Sequence, residues 1–501
     1  MIPIETPLVT RTDLAIEAFH QVASIEFLLL LVFVSIVGII AGALPGVGPA
    51  LAMVLFFPLT FTVAPEVGLM VMAVIFITAT YGASIPAILI NVPGSSGSAA
   101  TLLDGYPMTQ NGRATEALGV SVISSFIGAL IGLVGLLAFA PTLAQVSMYL
   151  GPAQFFWLAV LGLCTVAAAS RGSVLKSLIA ACLGVLLASI GTDPMTATPR
   201  FTFGSTYLEA GIDLIVLLVG LFAVSEVFHL LKTKYGGGGS PPMEGNMRDG
   251  VESGLQNGRQ QVQGGLIGLF IGAVPGLGTG PANFLSYLTS MSLSSKPERY
   301  GSGAPEGVIA AESSNNASAV SALIPTITLA IPGSPSAAVF LGVMLTYGVS
   351  PGPNVFESSL PYVIFVSIFI GALVFLFVGL FGARFFSKVT QFPQDVMIIS
   401  VTVLALAGCF AMRNNILDVG AAVLIGILGY LMRQRNYSLI AFIIAFILAP
   451  IAEQGFFRAL RISGGEYSIF VTGHINTVLI IGSIGILIMP ILLNRRSGEA
   501  E

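Results

Sequence analysis

Small polar side chains gather at two breaks in otherwise apolar sequence, and their types suit the holding of an anion beside a cation. The first break offers Asn91, Pro93, Gly94, Ser95, Ser96, Ser98 and Thr101; the second offers Pro332, Gly333, Ser334 and Ser336. A helix starting just after Pro93-Gly94 points free backbone N–H groups and its positive dipole end at whatever lies before it, which suits a carboxylate. Serine hydroxyls add donors. Opposed carbonyl ends and Asn side chains supply the oxygens that a sodium ion takes at broken helices. Thr279, Asn283, Asn315, Asn316 and the acid Glu312 are the candidates for that role. Small residues also let helices pack closely, so no single Ser or Gly carries the argument.

The motif carries it, because it occurs twice. Gly42-Ala-Leu-Pro-Gly-Val-Gly-Pro-Ala50 precedes Ile85-Pro-Ala-Ile-Leu-Ile-Asn-Val-Pro-Gly-Ser95. Later, Gly272-Ala-Val-Pro-Gly-Leu-Gly-Thr-Gly-Pro-Ala282 precedes Ile324-Pro-Thr-Ile-Thr-Leu-Ala-Ile-Pro-Gly-Ser334. Pro45 and Pro275 lie 230 residues apart, whereas Pro86 and Pro325, like Pro93 and Pro332, lie 239 apart. One insertion within 296–316 separates two copies of a duplicated unit. Helix breakers at membrane depth are tolerated only where the freed backbone is buried in protein or lines a polar cavity. Paired interruptions in two halves point to a transporter's binding site, so Gly46, Gly48, Gly276 and Gly278 join the candidate substrate-binding residues.

Composition sets the medium. Of 501 residues, 55% are hydrophobic and 9% charged, against about 25% charged in soluble domains; the mean hydropathy is +0.93. The sequence predicts an all-α polytopic membrane protein, with about 12 or more spans of roughly 20 residues, broken or re-entrant hairpins and two inverted-topology repeats. Residues 1–24 read as a periplasmic or interfacial segment and 25–231 as the first repeat, with a Pro-Gly hairpin at 91–103. Residues 232–263, which include Gly236-Gly-Gly-Gly-Ser-Pro-Pro242, read as a flexible cytoplasmic linker. The second repeat occupies 264–453, with its hairpin at 330–349. Residues 454–501 close the chain with one extra span and a short cytoplasmic tail.

Basic residues in short loops mark the cytoplasmic side. Arg113, Arg171, Lys176, Lys232 and Lys234 share one side with Arg384, Lys388, Arg433, Arg435, Arg495 and Arg496, which makes the halves run oppositely; Arg413, Arg458 and Arg461 dissent. No Lys or Arg falls in the middle of a predicted span, so an anion is expected to rest on helix ends, amides and hydroxyls.

Several functions find no support. Cys164, Cys182 and Cys409, like His20, His229 and His474, lack the spacing of a disulfide framework or transition-metal site. No phosphate-binding Gly-x-x-x-x-Gly-Lys-Ser/Thr loop is present, and a net charge of −4 without a basic patch gives no sign of nucleic acid. Gly94-Ser95-Ser96-Gly97 has the Gly-x-Ser-Gly form of intramembrane serine proteases, with His474 as the possible partner. A single catalytic serine does not explain a duplicated loop, and no enzyme activity is expected. An ion or solute channel is the other alternative, told apart by conductance and lack of saturation.

At these motifs the chain resembles the large membrane subunit of the bacterial tripartite tricarboxylate transporters, the TctA family. The resemblance rests on Gly42-Ala-Leu-Pro-Gly-Val-Gly48, Tyr81-Gly-Ala-Ser-Ile-Pro86, Asn91-Val-Pro-Gly-Ser-Ser-Gly-Ser-Ala-Ala100 and Asp104-Gly-Tyr-Pro-Met108. Gly112-Arg-Ala114, Glu306-Gly-Val-Ile-Ala-Ala-Glu-Ser-Ser-Asn-Asn316 and Ile331-Pro-Gly-Ser334 continue it. It implies a periplasmic solute-binding protein and a small membrane subunit as partners. It also implies cation-driven uptake of organic carboxylates, such as citrate, across the bacterial inner membrane. Sodium, or else the proton, is the expected coupling ion, with no other cofactor.

Overall fold

A computed structural model describes residues 12–60, 63–169, 174–193, 196–232 and 243–497. Residues 1–11 of the N-terminal segment, Arg171, Lys234 and the stretch 236–242 lie outside the described residues. Helices dominate, because a backbone placed in lipid must satisfy its polar groups within one segment. In the first copy they are α1 (Thr12–Val22), α2 (Ile25–Ala43), α3 (Gly48–Thr60), α4 (Pro65–Gly82), α5 (Ser84–Ile90), α6 (Leu102–Gln110) and α7 (Ala114–Ser147). Then come α8 (Pro152–Ala169), α9 (Val174–Ala188), α10 (Thr206–Glu209), α11 (Leu214–Leu218) and α12 (Ser225–Lys232). A π-turn, Val219–Val224, joins α11 to α12.

In the second copy are α13 (Met247–Gln256), α14 (Gly258–Gly272), α15 (Thr279–Ser292), α16 (Pro305–Ser321), α17 (Leu323–Leu329), α18 (Pro335–Thr346), α19 (Leu360–Phe381) and α20 (Ala383–Val389). The chain ends with α21 (Gln394–Arg413), α22 (Ile416–Gln434), α23 (Leu439–Ile462) and α24 (His474–Ser497). Among the described residues the one sheet is a short hairpin, Gly191–Thr192 against Pro199–Arg200. Eight helices there are long and apolar enough to cross a membrane, and five shorter apolar helices accompany them. The protein is an all-α polytopic membrane protein.

The duplication is visible in the packing. α2, α3, α4 and α5 recur as α14, α15, α16 and α17, and α7 recurs as α19. The copies exchange partners: α7 lies on α16 of the other copy, and α19 lies on α4. Likewise α9 packs on α23, and α22 packs on the π-turn and α12. The inner helices α4 and α16 are buried along most of their length. Around α16 the approach is close because glycines face it. A Cβ on Gly264 would sit 2.7 Å from the Ala310 carbonyl, and Gly132 meets that of Ala317 at 2.8 Å. Small residues at helix crossings permit this contact of backbones.

Two expectations need correction. The linker read over 232–263 is in fact helical from Met247 onward. Hydropathy misses α13 because glycine rather than bulk fixes it: Gly250 and Gly254 are buried against α7, and a Cβ on Gly250 would collide with the Glu116 carbonyl. The boundary at 453/454 falls inside α23, which runs to Ile462. Its lower half is held there by Glu453, whose carboxylate accepts a 2.5 Å hydrogen bond from Arg200 Nη1. In the second repeat, α14 and α15 stand on either side of the break at Pro275-Gly276.

Candidate functional site

Each break is built the same way and then finishes differently. α5 ends at Asn91 and α17 at Ala330, both left-handed with φ 58. Asn accepts that conformation more readily than Ala. The chain then folds back so that Gly94 N–H donates to the Ala83 carbonyl at 3.1 Å. A Cβ on Gly94 would lie 2.7 Å from Ala83 Cα, and one on Gly333 would lie 3.0 Å from Ala322 Cα. The upstream Pro-Gly loops meet these turns. Gly278 N–H donates to the Gly333 carbonyl at 3.0 Å, and a Cβ on Gly48 would fall 2.7 Å from the Gly94 carbonyl. Gly48 and Gly278 have φ of 57 and 70, in the left-handed region that favours glycine.

Beyond the turns the symmetry ends. In the second copy α18 starts at once: Ser334 is its N-cap, its Oγ accepting Ala337 N–H at 3.1 Å, with Pro335 next in the chain. In the first copy no α-helix starts after Pro93-Gly94, which corrects that expectation. Ser95 Oγ accepts Ser98 N–H at 3.3 Å while Ser98 Oγ accepts Ser95 N–H at 3.1 Å. A 3₁₀ turn, Gly97–Ala99, comes next, and α6 waits until Leu102. The cause is contact with the other copy: Asn283 Nδ2 donates to the Gly97 carbonyl at 2.7 Å.

Two cavities flank this loop. One, of about 180 Å³, is lined by Gly46, Gly48, Gly94, Ser95, Ser96, Thr279 and Ser334, with Phe222 and Glu226 on its wall. The other, of about 280 Å³, is lined by Ser96, Gly276, Gly278, Gly280, Arg433 and Tyr437. Ser96 therefore faces both. Asn91, Pro93, Pro332 and Gly333 line neither cavity and shape the turns instead. Asn91, Pro93 and Ser96 are exposed, whereas Pro332, Gly333 and Ser334 are buried.

Behind the first loop lies a buried polar cluster on α15 and α16. A Cβ on Gly97 would collide with Asn315 Oδ1 and lie 2.7 Å from Thr279 Oγ1. Among the described residues, both polar side-chain atoms of Asn315 and of Asn316, and Oδ1 of Asn283, are buried without a hydrogen-bond partner. One turn away on α16, Glu312 is fully buried. Thr101 Oγ1 donates to its Oε1, and Ser125 Oγ donates to its Oε2 at 2.8 Å. Ser84 and Ser121 stand beside the same carboxylate. Among the described residues no ion pair involves Glu312. Buried amide and hydroxyl groups are nearly always satisfied, and a buried carboxylate needs a partner or a proton. This set offers oxygen ligands for a small cation.

The fold thus brings together Thr279, Asn283, Asn315, Glu312 and the Ser95–Ser96 loop. It also brings in three residues that the sequence alone did not assign to the site. Phe222, Glu226 and Arg433 reach the cavities through the π-turn and the packing of α22 on α12. Asp104 ties the inserted segment down, its Oδ1 accepting N–H groups of Gly301, Gly303 and Ala304 at 2.9, 2.9 and 2.8 Å. Tyr287 OH donates to Oδ2 of the same carboxylate at 2.9 Å. Nothing supports a serine nucleophile. His474 is exposed at the start of α24, which packs on α8, and among the described residues no hydrogen bond joins it to Ser95 or Ser96.

A multi-pass membrane protein with a duplicated, broken-helix centre and cavities at the breaks belongs among membrane transport proteins. The comparison with known families makes this specific. The family model described as "Tripartite tricarboxylate transporter TctA family" matches residues 28–444, and the chain belongs to that family. Two relatives come from Agrobacterium vitis. One, named "Uncharacterized 52.8 kDa protein in TAR-I ttuC' 3'region", is 35% identical over 464 residues, covering 92% of each chain. Another, "Uncharacterized protein in TAR-II ttuC' 3'region", is 34% identical over 232 residues, 46% of this chain and 96% of its own. No solved structure matches.

Proposed function

We propose that this chain is the large permease subunit of a binding-protein-dependent secondary transporter. It imports organic tri- or dicarboxylates across the bacterial inner membrane, driven by a cation, sodium in the first instance. The observation that carries this reading is the meeting of both Pro-Gly-Ser loops at one cavity, which Ser95, Ser96, Thr279 and Ser334 line together. Hydroxyls and backbone N–H groups there suit a carboxylate. Beside them, the unpartnered oxygens of Asn283, Asn315 and Asn316, with Thr279 and Glu312, suit the coupling ion. A cation bound there stabilises the loop that contains Gly97, so substrate and ion reinforce each other's binding.

A periplasmic solute-binding protein delivers the substrate, and a small membrane subunit completes the complex. The inverted repeats alternate the cavity between the two sides by an elevator-type displacement of the loops and their flanking helices. Thermal-shift screening of the cognate binding protein against organic acids identifies the substrate. Uptake of that acid with and without a sodium gradient then tests the coupling. Accumulation that persists with both sodium and proton gradients collapsed rejects symport. A cysteine at Thr198 is expected to label from the periplasm and one at Ser240, outside the described residues, from the cytoplasm; labelling of both from one side rejects the inverted arrangement.

A further inference from the structure

The fold brings a guanidinium to cavities that, by sequence, hold no cationic side chain. Arg433 sits in the last turn of α22 and lines the 280 Å³ cavity together with Ser96, Gly276 and Gly278. Its Nη1 donates to Oε2 of Glu226, and Glu226 lines the 180 Å³ cavity on the other side of Ser96. One ion pair therefore touches both spaces around the first Pro-Gly-Ser loop. The two partners are unequally placed: the Glu226 side chain is 11% exposed and that of Arg433 43% exposed.

The π-turn puts Glu226 there. One extra residue in a helical turn rotates the next stretch of helix by roughly 100° about the axis, and Val219–Val224 directly precedes α12, which carries Glu226 as its second residue. π-turns occur often at functional sites. Glycines set the spacing across this contact: a Cβ on Gly220 would lie 2.8 Å from the Ala422 carbonyl, and one on Gly429 would lie 3.2 Å from Ser225 Cβ. A third cavity, of about 410 Å³, is lined by Arg433 together with His229 and Lys232. Arg433 thus stands where a basic vestibule meets the loop cavity.

We propose that Arg433 binds one carboxylate of the substrate while the Ser96 loop binds another, and that Glu226 holds the guanidinium when the site is empty. The proposal rests on the function proposed for the chain, carboxylate transport. A guanidinium has five N–H donors and grips carboxylates through two of them. Substrate and Glu226 compete for the same fork, so the exchange keeps the guanidinium paired and releases the Glu226 carboxylate to the cavity that it lines. A molecule with a single carboxylate cannot span loop and guanidinium together, so the site selects acids with two or three carboxylates.

Equilibrium binding of citrate, malate and lactate to the purified membrane complex tests this. Arg433→Gln is expected to weaken citrate and malate roughly 10- to 100-fold, the loss of one charge-assisted interaction. Lactate binding should change by less than about threefold, since it loses no second contact. Equal weakening of all three acids, or none, overturns the proposal. Glu226→Gln removes the competitor and is expected to tighten citrate about two- to tenfold. If Arg433→Gln fails to assemble, that variant decides alone: weaker citrate binding in Glu226→Gln makes the pair a structural tie and overturns the assignment. Should the unaltered complex bind none of the three acids, the carboxylate reading itself falls, and this inference with it.

Discussion

The two copies share a turn and differ in what surrounds it. In the second copy the Pro-Gly-Ser turn is buried and caps a helix; in the first it is open to cavities on both sides and runs into a 3₁₀ turn. The inner helices differ more. α16 carries Glu312, Asn315 and Asn316, and the residues 239 positions earlier on α4 are Ala73, Phe76 and Ile77. Asn283, which follows Pro281-Ala282, likewise answers to Leu51, which follows Pro49-Ala50, and Thr101 near Glu312 answers to Phe340. Duplication supplied two turns, which the proposed function gives to the substrate, and divergence left one polar cluster. A single coupling site beside a two-sided substrate site is the arrangement that these differences favour.

The largest effects are expected where the copies agree. Gly94→Val and Gly333→Val each force a branched side chain against backbone, at Ala83 and Ala322 respectively. Overpacking of this kind costs about 1–3 kcal/mol or more, and both variants should lose transport together with thermal stability. Folded, active protein from either one breaks the shared-turn account.

Next comes the buried acid. Glu312→Gln keeps the shape and removes the charge that would hold a cation. It is expected to abolish gradient-driven accumulation while leaving substrate binding within a few-fold, read by uptake beside equilibrium binding. Unaltered accumulation would remove Glu312 from coupling.

The serines sharpen the comparison. Among the described residues the hydrogen bonds within the loop join Ser95 and Ser98 rather than Ser96, so Ser96→Ala is expected to weaken substrate binding about 10-fold or more with an unchanged melting temperature. Ser334→Ala should weaken binding and also destabilise the protein by about 0.5–2 kcal/mol, because it removes the cap of α18. Binding like the unaltered protein in both variants rejects the carboxylate cradle.

The smallest effect lies at the left-handed residues. Ala330→Gly relieves a conformation costing about 1–2 kcal/mol for an L-residue, offset by about 0.5–1 kcal/mol of glycine entropy. A slight rise in melting temperature is expected, and Asn91→Ala should lower it.

Much of this was legible in the chain. Pro45, Pro93, Pro275 and Pro332 marked both breaks, since proline and glycine in apolar runs have few other uses, and the spacing revealed the copies. The polar stripe from Glu312 to Asn316 was visible as well. What was not legible depends on contacts between distant segments. Arg433 reads as a loop cation until α22 is packed on α12, and no sequence period announces the π-turn that presents Glu226. Helix α13 escapes hydropathy because Gly250 and Gly254 fix it by close approach. The first loop lacks the helix its sequence suggests because Asn283, from the other copy, takes the Gly97 carbonyl.

The central claim is that coupling resides in one copy alone. The direct measurement is the sodium dependence of substrate uptake by the reconstituted three-component system, compared between Asn315→Leu and the matching Phe76→Leu. The account predicts a half-saturating sodium concentration raised at least about tenfold by Asn315→Leu, as loss of one ion-held oxygen implies, and moved less than about twofold by Phe76→Leu. Identical sodium dependence in the two variants, or uptake indifferent to sodium in the unaltered protein, would contradict it.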